Sequence, residues 1–165
     1  MSSARCRGSV GRVPLAKPDE RLREEEMTQS DVEALAALVG EYDSRWGRLD
    51  FEGLSQLWVR TDPEPVYLGD EYAEPLIGAG EIDRHWARLS ARVREASMNS
   101  TLHRVDVLDG GVARCVLLCR WTLSTRGEGG AGEGASWVTW LAVPRDGRYL
   151  IALHSESEVN LPPDD

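Results

Sequence analysis

Residues 97–125 read Ser97-Met-Asn-Ser-Thr-Leu-His103-Arg-Val-Asp-Val107-Leu-Asp-Gly-Gly111-Val-Ala-Arg-Cys115-Val-Leu-Leu-Cys119-Arg-Trp121-Thr-Leu-Ser-Thr125. Two runs rich in Val, Leu, Thr and Trp flank Asp109-Gly110-Gly111, whose residues tolerate the positive φ of a tight turn. The reading is an antiparallel hairpin, Ser97–Leu108 against Val112–Thr125. The pattern continues downstream. Gly127–Gly134 reads as a flexible hairpin tip, Ser136–Val143 as a strand, Arg145-Asp146-Gly147 as a turn and Tyr149–Ser157 as a closing strand. Four long antiparallel strands thus fill the C-terminal half.

Upstream the period changes from 2 to 3.6. Leu35, Leu38, Val39, Tyr42 and Trp46 recur at helical spacing behind a capping box expected at Ser30 and Glu33. Asp50 can cap a second short helix whose Phe51, Leu54, Leu57 and Trp58 face inward, and Asp62-Pro-Glu-Pro65 ends it. Val66-Tyr67-Leu68, the turn Gly69-Asp70 and a return strand Tyr72–Ile77 form a small hairpin. Gly78-Ala-Gly80 opens a third helix, with Ile82, Trp86, Leu89 and Val93 on one face. Helices followed by an antiparallel meander predict an α+β domain with its helices on one face of the sheet.

The domain is expected over residues 30–158. Residues 1–29 read as a disordered extension, Ser-, Arg- and Gly-rich and then almost wholly charged, and 159–165 as a tail. Met27 can serve as an alternative start, and no apolar segment within 1–26 fits an export signal. The 165-residue chain carries 19 Lys+Arg against 28 Asp+Glu, a net charge of −9. Without a basic stretch it lacks the footprint that binds phosphate backbones, so no nucleic-acid partner is expected. No apolar run approaches the roughly 20 residues that span a bilayer, so no membrane partner is expected either. Cys115 and Cys119, four apart on a strand, share a face as small buried hydrophobes, and the odd cysteine count with Cys6 fits a reducing cytoplasm. His85, His103 and His154 stand in separate segments without ligand spacing, so no metal site is expected. There is no Gly-x-Gly-x-x-Gly, no Walker-type loop and no Gly-x-Ser-x-Gly elbow, so no cofactor is expected.

Alternation selects the candidate site. Counting back from Val105 and Val107 puts His103, Thr101 and Asn99 on the concave face, with Met98, Ser100 and Leu102 outside. His103 is then a candidate general base, or a core histidine bonded to a neighbouring strand. On the last strand the apolar Tyr149, Ile151 and Leu153 set is expected inside, leaving His154 on the outer face. Arg120, mid-strand, is either a clamp for an anion or carbonyl, or half of an ion pair with a carboxylate such as Glu156. Tyr42 and Tyr67 can donate to a developing oxyanion or serve as core residues. Trp46, Trp58, Trp86, Trp137 and Trp140 make an inventory suited to core packing, or to walling a pocket for a flat apolar guest.

Several segments together resemble the nuclear transport factor 2-like superfamily, in its SnoaL-like branch. They are Tyr42-Asp-Ser-Arg-Trp46 with Asp50-Phe-Glu-Gly-Leu54, Val66-Tyr-Leu68 before Pro75-Leu-Ile-Gly78, and Glu81-Ile82 with His85-Trp86. Trp137-Val-Thr-Trp140 and Asp146-Gly-Arg-Tyr-Leu-Ile-Ala-Leu-His154-Ser complete the set. The resemblance covers about residues 30–158. It implies a cone-shaped barrel, three N-terminal helices packed on a strongly curved, mainly antiparallel sheet, in a bacterial homodimer joined through the outer sheet face. It also implies a pocket between helices and sheet for a small hydrophobic or aromatic ligand. His103, in a Thr-x-His setting, and Tyr42 with Asp43 are similar to residues of scytalone dehydratase-like members. The expected function is cofactor-independent acid–base catalysis of the isomerase, dehydratase or lyase type. His103, Tyr42, Tyr67 and Arg120 are its candidate catalytic groups, and Trp46, Trp58, Trp86, Asn99, Thr101 and Trp140 would contact the substrate. The alternative is a non-catalytic binding or association domain.

Overall fold

A computed structural model describes residues 28–127 and 130–159. Three helices, α1 (Gln29–Gly47), α2 (Phe51–Gln56) and α3 (Ala79–Arg92), accompany six strands: β1 (Val66–Leu68), β2 (Leu76–Ile77), β3 (Val93–Val107), β4 (Ala113–Thr125), β5 (Ala131–Arg145) and β6 (Arg148–Val159). The architecture is α+β, with the small β1–β2 hairpin set between α2 and α3. The strands form one sheet in the order β2-β1-β6-β5-β4-β3. All pairs are antiparallel except β1 with β6, so the sheet is mixed. Helix α1 packs against both β3 and β6, which lie three strand spacings apart, so the sheet curves around it.

The amphipathic faces lie where periodicity put them. Leu35, Leu38, Val39, Tyr42 and Trp46 of α1 and Ile82 and Trp86 of α3 are buried in one core with Leu117, Trp140 and Ile151 from the sheet. Asp50 caps α2 by accepting from Gly53 N at 2.9 Å. The capping box of α1 sits two residues earlier than expected, at Thr28 and Asp31 rather than Ser30 and Glu33. Tyr149 Oη donates to Asp31 Oδ1 at 3.0 Å, tying that first turn to β6. Thr28 is thus the cap of α1 and Gln29 its first residue, and Val159 ends β6. The rest of the expected extension, including Cys6 and Met27, lies outside the described residues, as do 128–129 of the expected flexible tip and 160–165 of the tail. The return strand shrinks to Leu76–Ile77, and Asp109–Gly111 forms a 3₁₀ turn.

Two bulges set the faces of the long strands. On β3, Leu102 pairs with Leu117 and Arg104 with Val116, which leaves His103 as an extra residue. On β6, Leu153 pairs with Leu141 and Ile151 with Ala142, which leaves Ala152 extra. A single extra residue reverses alternation beyond it. Before the first bulge Met98 and Leu102 pack on the core; after it Val105 does. Tyr149 and Ile151 are buried with the core before the second bulge, and His154 and Glu156 face the helices after it.

Candidate functional site

A cavity of about 440 Å³ lies between the helices and the sheet. Tyr42 and Trp46 of α1, Tyr67 of β1, His85 and Leu89 of α3, and Met98, Trp121 and Leu123 of β3 and β4 supply its walls. Asp70, Glu71, Glu156 and Glu158 supply its carboxyl groups. A larger groove of about 750 Å³ runs between α2 and α3, lined by Glu52, Arg60, Asp83 and Arg148. Asp83 there forms an ion pair with Arg60 at 2.5 Å and also accepts from Ser55. The first cavity is the one that brings two carboxyl groups onto a shared hydroxyl.

The centre of that cavity is Tyr67. Parallel pairing of β1 with β6 places Tyr67 beside His154, ring centroids 4.8 Å apart, and His85 covers the other side at 4.6 Å. Tyr67 Oη stands 3.0 Å from Oε1 of both Glu71 and Glu156. One hydroxyl hydrogen serves one carboxyl at a time. Burial raises the Glu71 pKa above the usual carboxyl range, and the nearby charge of Glu156 adds to the rise. Burial acts on Glu156 in the same sense. There it is outweighed by hydrogen bonds from His154, Tyr67 and Glu71, which hold the pKa below its ordinary value. The two carboxyls are thus unlike, Glu71 being the one that takes up a proton more readily and Glu156 the one that stays ionised more readily.

A relay behind Glu156 fixes its form. Trp140 Nε1, which can only donate, lies 2.9 Å from His154 Nδ1, so Nδ1 is the acceptor and Nε2 carries the hydrogen. His154 Nε2 then donates to Glu156 Oε2 at 3.3 Å. His154 is 2 % exposed and enclosed by Tyr67, Trp58, Trp140 and Tyr42 rings. His85 is held likewise. Arg88 Nη2 donates to Tyr72 Oη, and that hydroxyl is hydrogen-bonded to His85 Nδ1, both at 2.9 Å. Burial, then the charge of Arg88, lowers the His85 pKa to about 4, so it is neutral at pH 7. Burial raises the pKa values of Tyr42 and Tyr67 well above the usual tyrosine range, which keeps both hydroxyls protonated.

The expected site residues divide. Tyr42, Tyr67 and Trp46 line the cavity. Trp140 lies behind His154, Trp58 behind Tyr67, and Trp86 packs in the core against Trp46 and Phe51. His103, Asn99 and Thr101 are exposed and face away from the helices, because the bulge at His103 reverses the phase on which their placement rested. His103 instead meets exposed Trp137 edge-on at 4.9 Å. Arg120 is exposed beside Asn99 and does not reach Glu156, which faces the cavity. His154 is likewise inside, contrary to its expected place on the outer face. Asp43 tethers α1 to β3, accepting from Ser100 N at 2.7 Å and Ser100 Oγ at 2.6 Å. Sequence reading passed over Glu71, His85 and Tyr72 as site residues. The available signal was the acidic turn Asp70-Glu71 beside Tyr67.

No protein-family model matches the sequence, and no curated protein matches it significantly. Solved structures do. A candidate dehydratase of the nuclear transport factor 2-like family from Streptomyces avermitilis shares 20% identity, with 81% of this chain and 100% of that one covered and a TM-score of 0.70. A candidate scytalone dehydratase from Novosphingobium aromaticivorans shares 13% identity over 81% and 89% of the two chains, TM-score 0.71. A candidate calcium/calmodulin-dependent protein kinase II association domain from Xanthomonas campestris shares 19% over 76% and 85%, TM-score 0.63. At these identities the likeness is one of fold, and the chain has the fold of the nuclear transport factor 2-like superfamily.

Proposed function

We propose that the protein is a cofactor-independent acid–base enzyme of the SnoaL-like branch, acting on a small, flat, largely apolar molecule held in the 440 Å³ cavity. The observation that carries this reading is the Glu71–Tyr67–Glu156 cluster, where two carboxyls share one hydroxyl at 3.0 Å and their pKa values are shifted in opposite directions. Glu156 is the base. It takes a proton from a substrate carbon or hydroxyl, while the Tyr67 hydroxyl donates to the oxygen where charge develops or leaves, and the raised pKa of Glu71 makes it the carboxyl better suited to carry a proton. Tyr42 offers a second neutral donor. His154 is a positioning residue whose Nε2–H keeps Glu156 ionised and oriented. Such a site serves isomerisation, dehydration or a lyase step. The two candidate dehydratases among its fold relatives fall within that range. We further propose a homodimer joined through the sheet face that carries Trp137, and a reducing cytoplasm, which suits the free, buried Cys115 and Cys119.

The chemistry is tested without knowing the natural substrate. 2-Tetralone, a flat bicyclic ketone, exchanges its α-hydrogens for deuterium when a base and an oxyanion donor act together. NMR of 2-tetralone with the protein in D₂O should show exchange above buffer. Glu156→Gln should lower that rate by about 10²-fold or more, the usual scale for a positioned base, and His103→Gln should leave it unchanged. Exchange equal to buffer, or undiminished in Glu156→Gln, overturns the assignment.

A further inference from the structure

We propose that the guest of this cavity is an organic cation, a protonated amine carried on a flat apolar body. The inference rests on the acid–base reading of the same cavity and names its substrate class. Four carboxyl groups, those of Asp70, Glu71, Glu156 and Glu158, line the cavity, and no lysine or arginine does. They stand on one wall. Asp70 and Glu71 follow β1, and Glu156 and Glu158 lie on the inner side of β6 beside it. Asp70 Oδ2 accepts from Glu158 N at 2.7 Å, which fixes the two segments together. The wall made by β3 and β4 carries no charge and is mostly apolar, with Met98, Trp121 and Leu123, and the hydroxyls of Ser97 and Thr122 there bond to each other at 2.7 Å. A guest with a charged end and an apolar body matches this division.

Groups that could cancel the negative wall do not. His85 faces the cavity but is neutral at pH 7, since burial and Arg88 lower its pKa to about 4. Arg88 is turned to Tyr72, its guanidinium 5.4 Å from that ring and its Nη2 on that hydroxyl. His154 is committed to Trp140 and Glu156. The carboxyl wall therefore has no cationic side chain among the cavity's lining residues to balance it. An ammonium group placed beside Glu71 and Glu156 gains charge-assisted hydrogen bonds, and the Tyr42 and Tyr67 rings add cation–π attraction. A carboxylate or phosphate guest would meet like charge on that wall.

Three probes of one shape separate the possibilities: 2-aminotetralin, 2-tetralol and tetralin-2-carboxylate, titrated into the full-length protein at pH 7 by calorimetry. The ammonium should bind about tenfold or more tightly than the alcohol, a difference of about 1.4 kcal/mol. The carboxylate should bind weakest. Glu156→Gln should bring the ammonium to the affinity of the alcohol. Glu158→Gln, at an exposed position whose substitution spares the core, should reduce the preference in the same direction. Equal affinity for ammonium and alcohol, tightest binding of the carboxylate, or a preference that survives both substitutions overturns the inference. These outcomes leave the exchange of neutral 2-tetralone to be judged separately, so failure of the cation preference is distinct from failure of the acid–base reading.

Discussion

His85 shows how a single side chain couples this site to stability. It is 2 % exposed and its pKa falls from 6.5 to about 4, chiefly because burial disfavours the imidazolium. A base whose pKa is lower folded than unfolded stabilises the fold fully above pH 6.5. That contribution is lost as pH falls from 6.5 towards 4, because the unfolded chain binds the proton first. The full difference is about 3 kcal/mol. Glu71 acts in the opposite sense, since a carboxyl with a raised pKa gains from protonation in the folded state. Comparison of variants isolates the histidine. Thermal melts of His85→Gln, which can still accept from Tyr72, should vary less between pH 6.5 and 4 than those of the native protein. An unchanged pH dependence would show that His85 is not the titrating group.

At the scale of elements, every helix and the four-strand meander were legible in the sequence, because helical and strand periods differ and the turns carry Gly, Asp and Pro. The apolar face of α1 and the cap at Asp50 needed nothing more. The two histidines were misplaced for one shared reason. Alternation gives faces only between bulges, and each strand carries a bulge that no residue type announces: His103 itself on β3, Ala152 on β6. Extrapolation from Val105 therefore moved His103 inside, and extrapolation from Tyr149 moved His154 outside. Glu71 was invisible for another reason, since its role depends on the parallel pairing of β1 with β6 across 89 residues. The bulge account is testable. Deleting His103 leaves Leu102 inward, Arg104 outward and Val105 inward on a regular ladder, so circular dichroism should report a folded protein with a cooperative melt. Deleting Met98, an ordinary ladder residue, should reverse the faces of the neighbouring segment and abolish that melt. Equal effects of the two deletions would refute the assignment of His103 as the extra residue.

At the scale of the whole molecule, the sheet presents two unlike faces. One closes over the acidic cavity. The other carries Trp137, 42% exposed, in a row with Thr101 and Leu118, and with His103 against its ring. If two copies join across this face, Trp137→Glu places a charge at the centre of a two-fold contact and meets its own image there. Sedimentation should then show a dimer for the native protein and a monomer for the variant, with 2-tetralone exchange retained. A native monomer, or a variant that still dimerises, would remove this face from consideration.

The cavity's breadth is governed from a position that has no side chain. Gly134 lies across the ladder from Trp121, and a Cβ there would fall 2.6 Å from the indole Cζ2. Any larger residue at 134 must displace the ring, and Trp121 is part of the cavity wall. One added methyl would thus retune which guests fit while leaving every proton-carrying group in place. Selectivity by size and chemistry by charge are separately adjustable in this chain, the first through β5 and the second through β1 and β6.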